Sequence, residues 1–246
     1  YVYVNEIIMN RFLSLFFFLF ILVQVSLAQE FNSSPVKSSK QVWNSLFDGK
    51  SLNGWHLFNR KDAEIKSWKV EDGALVCLGA KGPSGSGDII SDRSFKNFDL
   101  KWEWKVDKGS NSGVFYNIVE DPKYKRAIET SPEYQIIDDI NFPAKLEESQ
   151  KAGADYGMYA PSDKKVLKPV GEWNTSRIKF NNGKVEYWLN GIRIIKFKAW
   201  TEEWHKLKKE GKWKDFPDYG LSGEGRIGLQ DHGNKAYFRN ILIREL

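Results

Sequence analysis

Phe98, Leu100, Trp102, Trp104 and Val106 alternate with Asp99, Lys101, Glu103 and Lys105. A period of two predicts a strand with one buried and one polar face. Residues 173–180, 184–189 and 192–197 carry comparable runs, separated by Asn181-Asn182-Gly183 and Asn190-Gly191. Glycine after asparagine supplies the positive φ of tight hairpin turns, so three consecutive antiparallel strands are predicted there. Shorter runs at 68–70, 74–78, 114–118, 134–137, 226–230 and 237–243 bring the total to about ten strands at short spacing, with no alternating helices. The pattern predicts an all-β chain folded as an antiparallel β-sandwich. Helical composition is confined to residues 143–151 and 200–210, which read as surface excursions between strands.

Alternation also assigns faces. In Glu133-Tyr134-Gln135-Ile136-Ile137-Asp138, Tyr134 and Ile136 share one face and Glu133 and Gln135 the other. Trp173, Thr175 and Arg177 oppose Ile178 and Phe180; Glu186 and Trp188 oppose Val185, Tyr187 and Leu189; Glu103 opposes Trp102 and Trp104. In Ile227-Gly228-Leu229-Gln230-Asp231-His232, a strand projects His232 beside Gln230, away from Ile227 and Leu229. If these strands share one sheet, its open face holds Glu103, Glu133, Gln135, Arg177, Glu186, Trp188, Gln230 and His232. Asn111-Ser112-Gly113 sets a further amide at a turn from which it can reach the same face. Such a mixture suits a sugar, whose apolar face stacks on aromatic rings while amides, guanidinium and carboxylates take the hydroxyls. A plain solvated sheet face would also carry Lys, Glu and Arg, but has less use for Gln and His. His232 itself either transfers protons near neutral pH or hydrogen-bonds a neighbouring loop, and this stretch alone leaves both open.

The N-terminus bears on where this face works. Arg11 precedes an uncharged apolar run through Phe16-Phe17-Phe18-Leu19-Phe20-Ile21-Leu22, closed by Ser26-Leu27-Ala28. That is the layout of a secretory signal peptide over residues 1–28, with 1–8 as an upstream extension before Met9; an uncleaved anchor is the alternative. No cysteine follows the run, so a lipoprotein is not expected. Periplasmic or extracellular localisation is. Residues 29–45 read as a linker and 46–246 as one domain, long enough for a sizeable core. Its single cysteine, Cys77, leaves no internal disulfide, so the core alone must hold the fold. The net charge of +5 is concentrated in the lysine-rich stretch 196–214, too diffuse for a nucleic-acid partner.

Other chemistry is excluded or left open by motif. The Gly/Ser-rich stretch 79–87 lacks the Gly-Lys-Ser/Thr ending and following helix of a phosphate loop, and reads as a loop at a sheet edge, with a lid as one use. No His-x-x-x-His or cysteine cluster marks zinc. Asp138, Asp139 and Asp231 could give oxygens to a divalent cation such as Ca²⁺ or Mg²⁺, although no ligand-loop pattern surrounds them.

Seven blocks, in order, carry a resemblance: Leu46-Phe47-Asp48-Gly49-Lys50-Ser51-Leu52-Asn53-Gly54-Trp55, Ser110-Asn111-Ser112-Gly113-Val114-Phe115-Tyr116, Pro132-Glu133-Tyr134-Gln135-Ile136-Ile137-Asp138, Gly171-Glu172-Trp173-Asn174, Trp188-Leu189-Asn190-Gly191, Leu229-Gln230-Asp231-His232-Gly233 and Phe238-Arg239-Asn240-Ile241. Together they resemble the 3-keto-disaccharide hydrolase domain family, from about residue 47 to the C-terminus. The resemblance implies a concanavalin A-like jelly roll in an exported protein. It also implies cleavage of glycosides already oxidised to a ketone at C3, by hydrolysis or 1,2-elimination. The blocks around Glu133 and His232 fall on the family's pocket. Many members carry a histidine soon after the block ending at Asp138, where this chain has Asp139-Ile140-Asn141-Phe142-Pro143.

The implied reaction has a simple logic. A C3 ketone acidifies the C2 hydrogen, and the glycosidic oxygen on C1 lies β to that carbonyl. Elimination needs a base, an enolate stabiliser and help for the leaving group, rather than the two carboxylates of an ordinary glycosidase. The Glu-x-Asp-x-Glu strand motif of some sandwich glycanases is absent. His232 is the expected proton carrier, with Glu133 its partner or the alternative base. Arg177 or a divalent cation would stabilise the enolate, and Gln135, Gln230, Asn111, Trp188 and Glu103 would hold the sugar. With no dinucleotide fingerprint in the chain, oxidation at C3 falls to a separate 3-dehydrogenase. A non-catalytic carbohydrate-binding module and a glycosidase acting on unoxidised sugar are the alternative readings.

Overall fold

The computed structural model describes residues 42–79 and 87–246. The signal peptide and residues 29–41 of the linker lie outside the described residues, as does most of the Gly/Ser-rich stretch. Two antiparallel sheets pack face to face, the sandwich that the alternation predicts. The larger sheet runs in the order β11 (Ile192–Lys198), β10 (Lys184–Leu189), β9 (Asn174–Asn181), β6 (Phe98–Val106), β13 (Lys235–Glu245), β4 (Ala74–Leu78), β3 (Trp68–Glu71), with β1 (Asn44–Ser45) also pairing with β13. The smaller runs β2 (Trp55–Leu57), β5 (Ile89–Phe95), β12 (Gly225–Leu229), β7 (Asn111–Ile118), β8 (Glu133–Ile137).

The inner faces supply the core: Phe98, Leu100, Trp102 and Trp104 of β6 meet Val114 and Tyr116 of β7 and Tyr134 and Ile136 of β8. Trp102 lies edge-on to Tyr134 at 5.0 Å. Aromatic hydroxyls within this core are paired: Ser176 donates to the Tyr134 hydroxyl at 2.8 Å, and Tyr187 to the Tyr116 hydroxyl at 3.0 Å. Hydroxyls buried with a partner avoid the cost of desolvation without compensation.

Three differences from the sequence expectation matter. Asn44 and Ser45, expected in the linker, pair with Ile243 and Leu242. Residues 143–151 hold only a 3₁₀ turn, Glu148–Gln150, whereas the second excursion forms a true helix, α1 (Glu202–Glu210). Strands β2 and β5 were not expected at all. β5 alternates poorly: Asp92, Arg93 and Ser94 are all exposed.

The smaller sheet is covered on both sides. Behind it is the core; in front, residues 119–132 and the segment following α1 pack down through two satellite clusters, one around Phe58, Ile90 and Phe115, the other around Trp204, Trp213 and Tyr219. Every residue of β7 and β8 is buried as a result. Between the two clusters the covering layer leaves a cleft.

Candidate active site

The cleft has a volume of about 650 Å³ and its floor is the outer face of the smaller sheet. Glu133, Gln135, Asn111, Gln230, Asp231 and His232, all singled out from sequence, line it together with Asp88. Glu103, Arg177 and Trp188 do not. The single shared face is thereby corrected: β6, β9 and β10 belong to the larger sheet, so their polar residues face away on the opposite side of the sandwich. There they satisfy one another. Arg177 donates to Asp99 at 2.5 and 2.7 Å and stacks 4.4 Å over Trp188, and Glu103 accepts from Arg239 and Asn240. Arg177 is therefore no enolate stabiliser in this cleft, and Trp188 and Glu103 hold no sugar there.

Asp138 leaves the site for a different reason. Its carboxylate accepts from the amides of Gly109, Ile140 and Asn141 and from the Asn141 side chain, closing the turn after β8. Burial alone would raise its pKa, but these bonds, Gly109 foremost, hold it below the usual carboxylate range. Those oxygens are used, so Asp138 is withdrawn as a cation ligand. Asp231 is likewise engaged, accepting from Gly87 N–H at 3.2 Å and Gly233 N–H at 3.0 Å. Among the described residues no group of three His, Cys, Asp or Glu side chains is arranged to hold a metal.

His232 stands differently from its expected place. β12 ends at Leu229, and the Asp231 side chain closes an Asx turn onto Gly233, whose φ is +80°. The turn lifts His232 out of the sheet to an exposed position at the cleft mouth.

Glu133 is the centre of the floor. It is 1 % exposed, on β8 opposite Phe115 of β7. A β-carbon on Gly113 would come within 2.2 Å of Glu133 Oε1, so only glycine lets this carboxyl lean across β7. Burial, then the neighbouring charge of Asp88, pushes its pKa well above the ordinary glutamate value; Lys212 and a hydrogen bond with Gln230 pull the other way. Burial thus favours the protonated, uncharged form of Glu133. Gln230 is set by its own backbone: its N–H donates to Gly113 O at 3.0 Å and its carbonyl accepts from Ser112 Oγ at 2.7 Å. Gln135 turns its side-chain oxygen onto the Ile136 amide at 2.9 Å.

Three buried atoms of this floor have no hydrogen-bond partner: Glu133 Oε2, Asn111 Oδ1 and Gln230 Oε1. Each such atom costs about 1–3 kcal/mol if left unpaired. A ligand that brings hydroxyls to all three removes that cost.

The walls and rim were not anticipated. Phe58, Phe115, Tyr156, Trp213 and Phe216 give aromatic surface, while Arg60, Lys125, Arg126 and Lys212 ring the mouth and are exposed. Lys212 lies 4.7 Å over the Tyr156 ring, and Trp213 donates its indole N–H to Tyr156 O at 3.0 Å. Asp88 was also missed; its carboxyl accepts from Asp231 N–H at 2.9 Å, and burial pushes it up to about 7.

The family model described as "3-keto-alpha-glucoside-1,2-lyase-like domain" matches residues 42–244. A 3-keto-disaccharide hydrolase of Bacteroides thetaiotaomicron is 34 % identical to the chain over 248 residues, covering 89 % of this chain and 83 % of that protein. A Parabacteroides distasonis protein crystallised as a candidate glycosyl hydrolase superposes with a TM-score of 0.77 at 43 % identity, over 83 % of this chain and 94 % of its own. A second from the same organism superposes at 0.63 with 29 % identity, over 83 % of this chain and all of its own.

Proposed function

The chain belongs to the 3-keto-alpha-glucoside-1,2-lyase-like domain family and is a carbohydrate-active hydrolase; we propose that its substrate is a glycoside oxidised to a ketone at C3. In this reading the glycosidic bond breaks by removal of the C2 proton and 1,2-elimination, and water added across the resulting double bond gives net hydrolysis. The observation that carries it is the buried Glu133, whose carboxyl is biased by burial toward its protonated form, beside the unpartnered amide oxygens of Asn111 and Gln230. Those oxygens accept sugar hydroxyls, and a protonated carboxyl donates to an oxygen that becomes an alkoxide as the C1–O bond breaks. His232, at the mouth, exchanges protons between cleft and solvent. With Arg177 on the other sheet, the positive field for the enolate oxygen comes from the rim, above all Lys212, whose charge already acts on Glu133.

Export to the periplasm or outside the cell, and supply of the ketone by a separate 3-dehydrogenase, belong to the same proposal. One observation favours a second reading. Asp88 and Glu133 put two carboxyl groups in one cleft, as an ordinary glycosidase requires, although the Glu-x-Asp-x-Glu strand motif is absent. Incubation with an aryl glucoside and its 3-keto counterpart in D₂O, followed by NMR, separates the two. Cleavage of the keto substrate with deuterium entering C2 is expected; cleavage of the unoxidised glucoside at equal rate, without C2 exchange, would establish the glycosidase instead.

A further inference from the structure

Asp88 immediately precedes β5, and its fixation is reciprocal. Asp231 N–H donates to Asp88 Oδ1 at 2.9 Å, while Gly87 N–H donates to Asp231 Oδ2 at 3.2 Å. Two adjacent strand ends, of β5 and β12, thus lock each other in place. Asp88 Oδ2 takes no hydrogen bond among the described residues, and the residue lines the cleft. In the sheet order only β12 and β7 separate β5 from β8. Because Gly113 lets the Glu133 carboxyl cross β7, that group reaches Gln230 of the β12 end. Asp88, from the start of β5, and Glu133, from β8, therefore line the same cleft.

We propose that Asp88 is the catalytic base that takes the C2 proton, with Glu133 as the acid that protonates the departing glycosidic oxygen. The inference rests on the keto-glycoside reading above. The C2–H bond breaks and its proton goes to the Asp88 carboxylate, while the bonding pair forms the C2=C3 enolate. The enolate pair then moves to form C1=C2, restoring the C3 ketone. The C1–O bond breaks with its electron pair on the leaving oxygen, which takes the Glu133 proton. In hydrolysis, water adds its oxygen to C1 and its proton to Glu133, and Asp88 returns its proton to C2. Both groups end as they began.

The electrostatics fit this division of labour. The groups facing Asp88 are Asp231 at the β12 end, Glu133 on β8, Arg60 after β2, Arg126 ahead of the 3₁₀ turn Ala127–Glu129, and Cys77 of β4. Two carboxyls in one cleft resist joint ionisation, and the deeper burial of Glu133 places the retained proton there, leaving Asp88, raised to about 7, as the group to ionise. His232, exposed and on a turn, has no such fixed geometry.

The test uses a 3-keto aryl glucoside in D₂O, reading C2 deuteration of recovered substrate and aglycone release separately. Asp88→Asn is expected to lose both by about 10² or more, and Asp88→Glu to recover part of each. Glu133→Gln should keep C2 exchange while aglycone release falls by a similar factor, an uncoupling that damage to the fold does not produce. The unmodified protein should show an acid limb in kcat/KM near pH 7. Wild-type C2 exchange retained by a folded Asp88→Asn protein, or kcat/KM flat from about pH 5.5 to 8.5 in the unmodified enzyme, would overturn the assignment of Asp88 alone. Failure of the unmodified enzyme to cleave the keto substrate would instead overturn the proposed function.

Discussion

Gly113 decides where the Glu133 carboxyl stands. Any β-carbon there occupies the space of Glu133 Oε1, and a buried acid cannot simply move aside in a packed sheet. Gly113→Ala is therefore expected to cut kcat by at least about tenfold and to cost about 1–3 kcal/mol of stability, read by steady-state kinetics and thermal melting. Equal kcat in the two proteins would mean that Glu133 works from another rotamer. Glu133 and Gln135 were legible in the sequence because strict alternation fixes a face. His232 was not, since the Asx turn from Asp231 to Gly233 breaks the alternation just before it. The pair Asp-x-Gly in Asp231-His232-Gly233 was the available sign of that turn.

At the scale of elements, the cleft depends on pieces that alternation reads poorly. β5 brings Asp88, yet its middle is polar and exposed, so neither the strand nor its leading acid stood out. The sheet assignment was also out of reach: period two gives the face of each strand but not which strands pair, and so Arg177 and Glu103 were grouped with residues on the far sheet. Helix α1 shows the opposite case, where local chemistry suffices. Thr201 accepts the Trp204 amide as N-cap, Glu202 and Glu203 open the helix and Lys208 and Lys209 close it, matching the helix dipole. Its buried face is Trp204, which the segment carrying Lys212 and Trp213 packs against. Thr201→Ala is expected to cost about 1 kcal/mol, with little change in turnover. Trp204→Ala should cost about 3–5 kcal/mol and also raise KM, because the rim and aromatic wall lose their support. A Trp204→Ala protein with unchanged KM would show that the rim seats itself.

Across the whole molecule, buried acids of opposite character shape the response to pH. Asp99 is fully buried on the outer face of the larger sheet; burial would raise its pKa, but Arg177 and Arg244 hold it below the usual range. Its contribution to stability is present above the unfolded pKa of about 4 and is lost as pH falls through the lower folded value. Asp88 and Asp155 behave the other way. Burial raises them to about 7 and about 8, the latter despite a hydrogen bond from Tyr187. Between about pH 4 and those values the unfolded chain has released protons that the folded chain still holds, so stability declines as pH rises through that window and levels off above it. The melting temperature should therefore peak on the acid side of neutrality, falling steeply below about pH 4 and gradually toward pH 8. Asp155→Asn separates structure from catalysis. Asp155 is not among the residues lining the cleft, so its replacement should flatten the decline between neutral pH and 8 while leaving the acid limb of kcat/KM in place. Melting curves at half-unit pH steps for both proteins check this. A decline that persists unchanged in Asp155→Asn would assign the whole effect to the cleft acids, and the carboxyls proposed to perform the chemistry would then be the ones that limit stability near neutral pH.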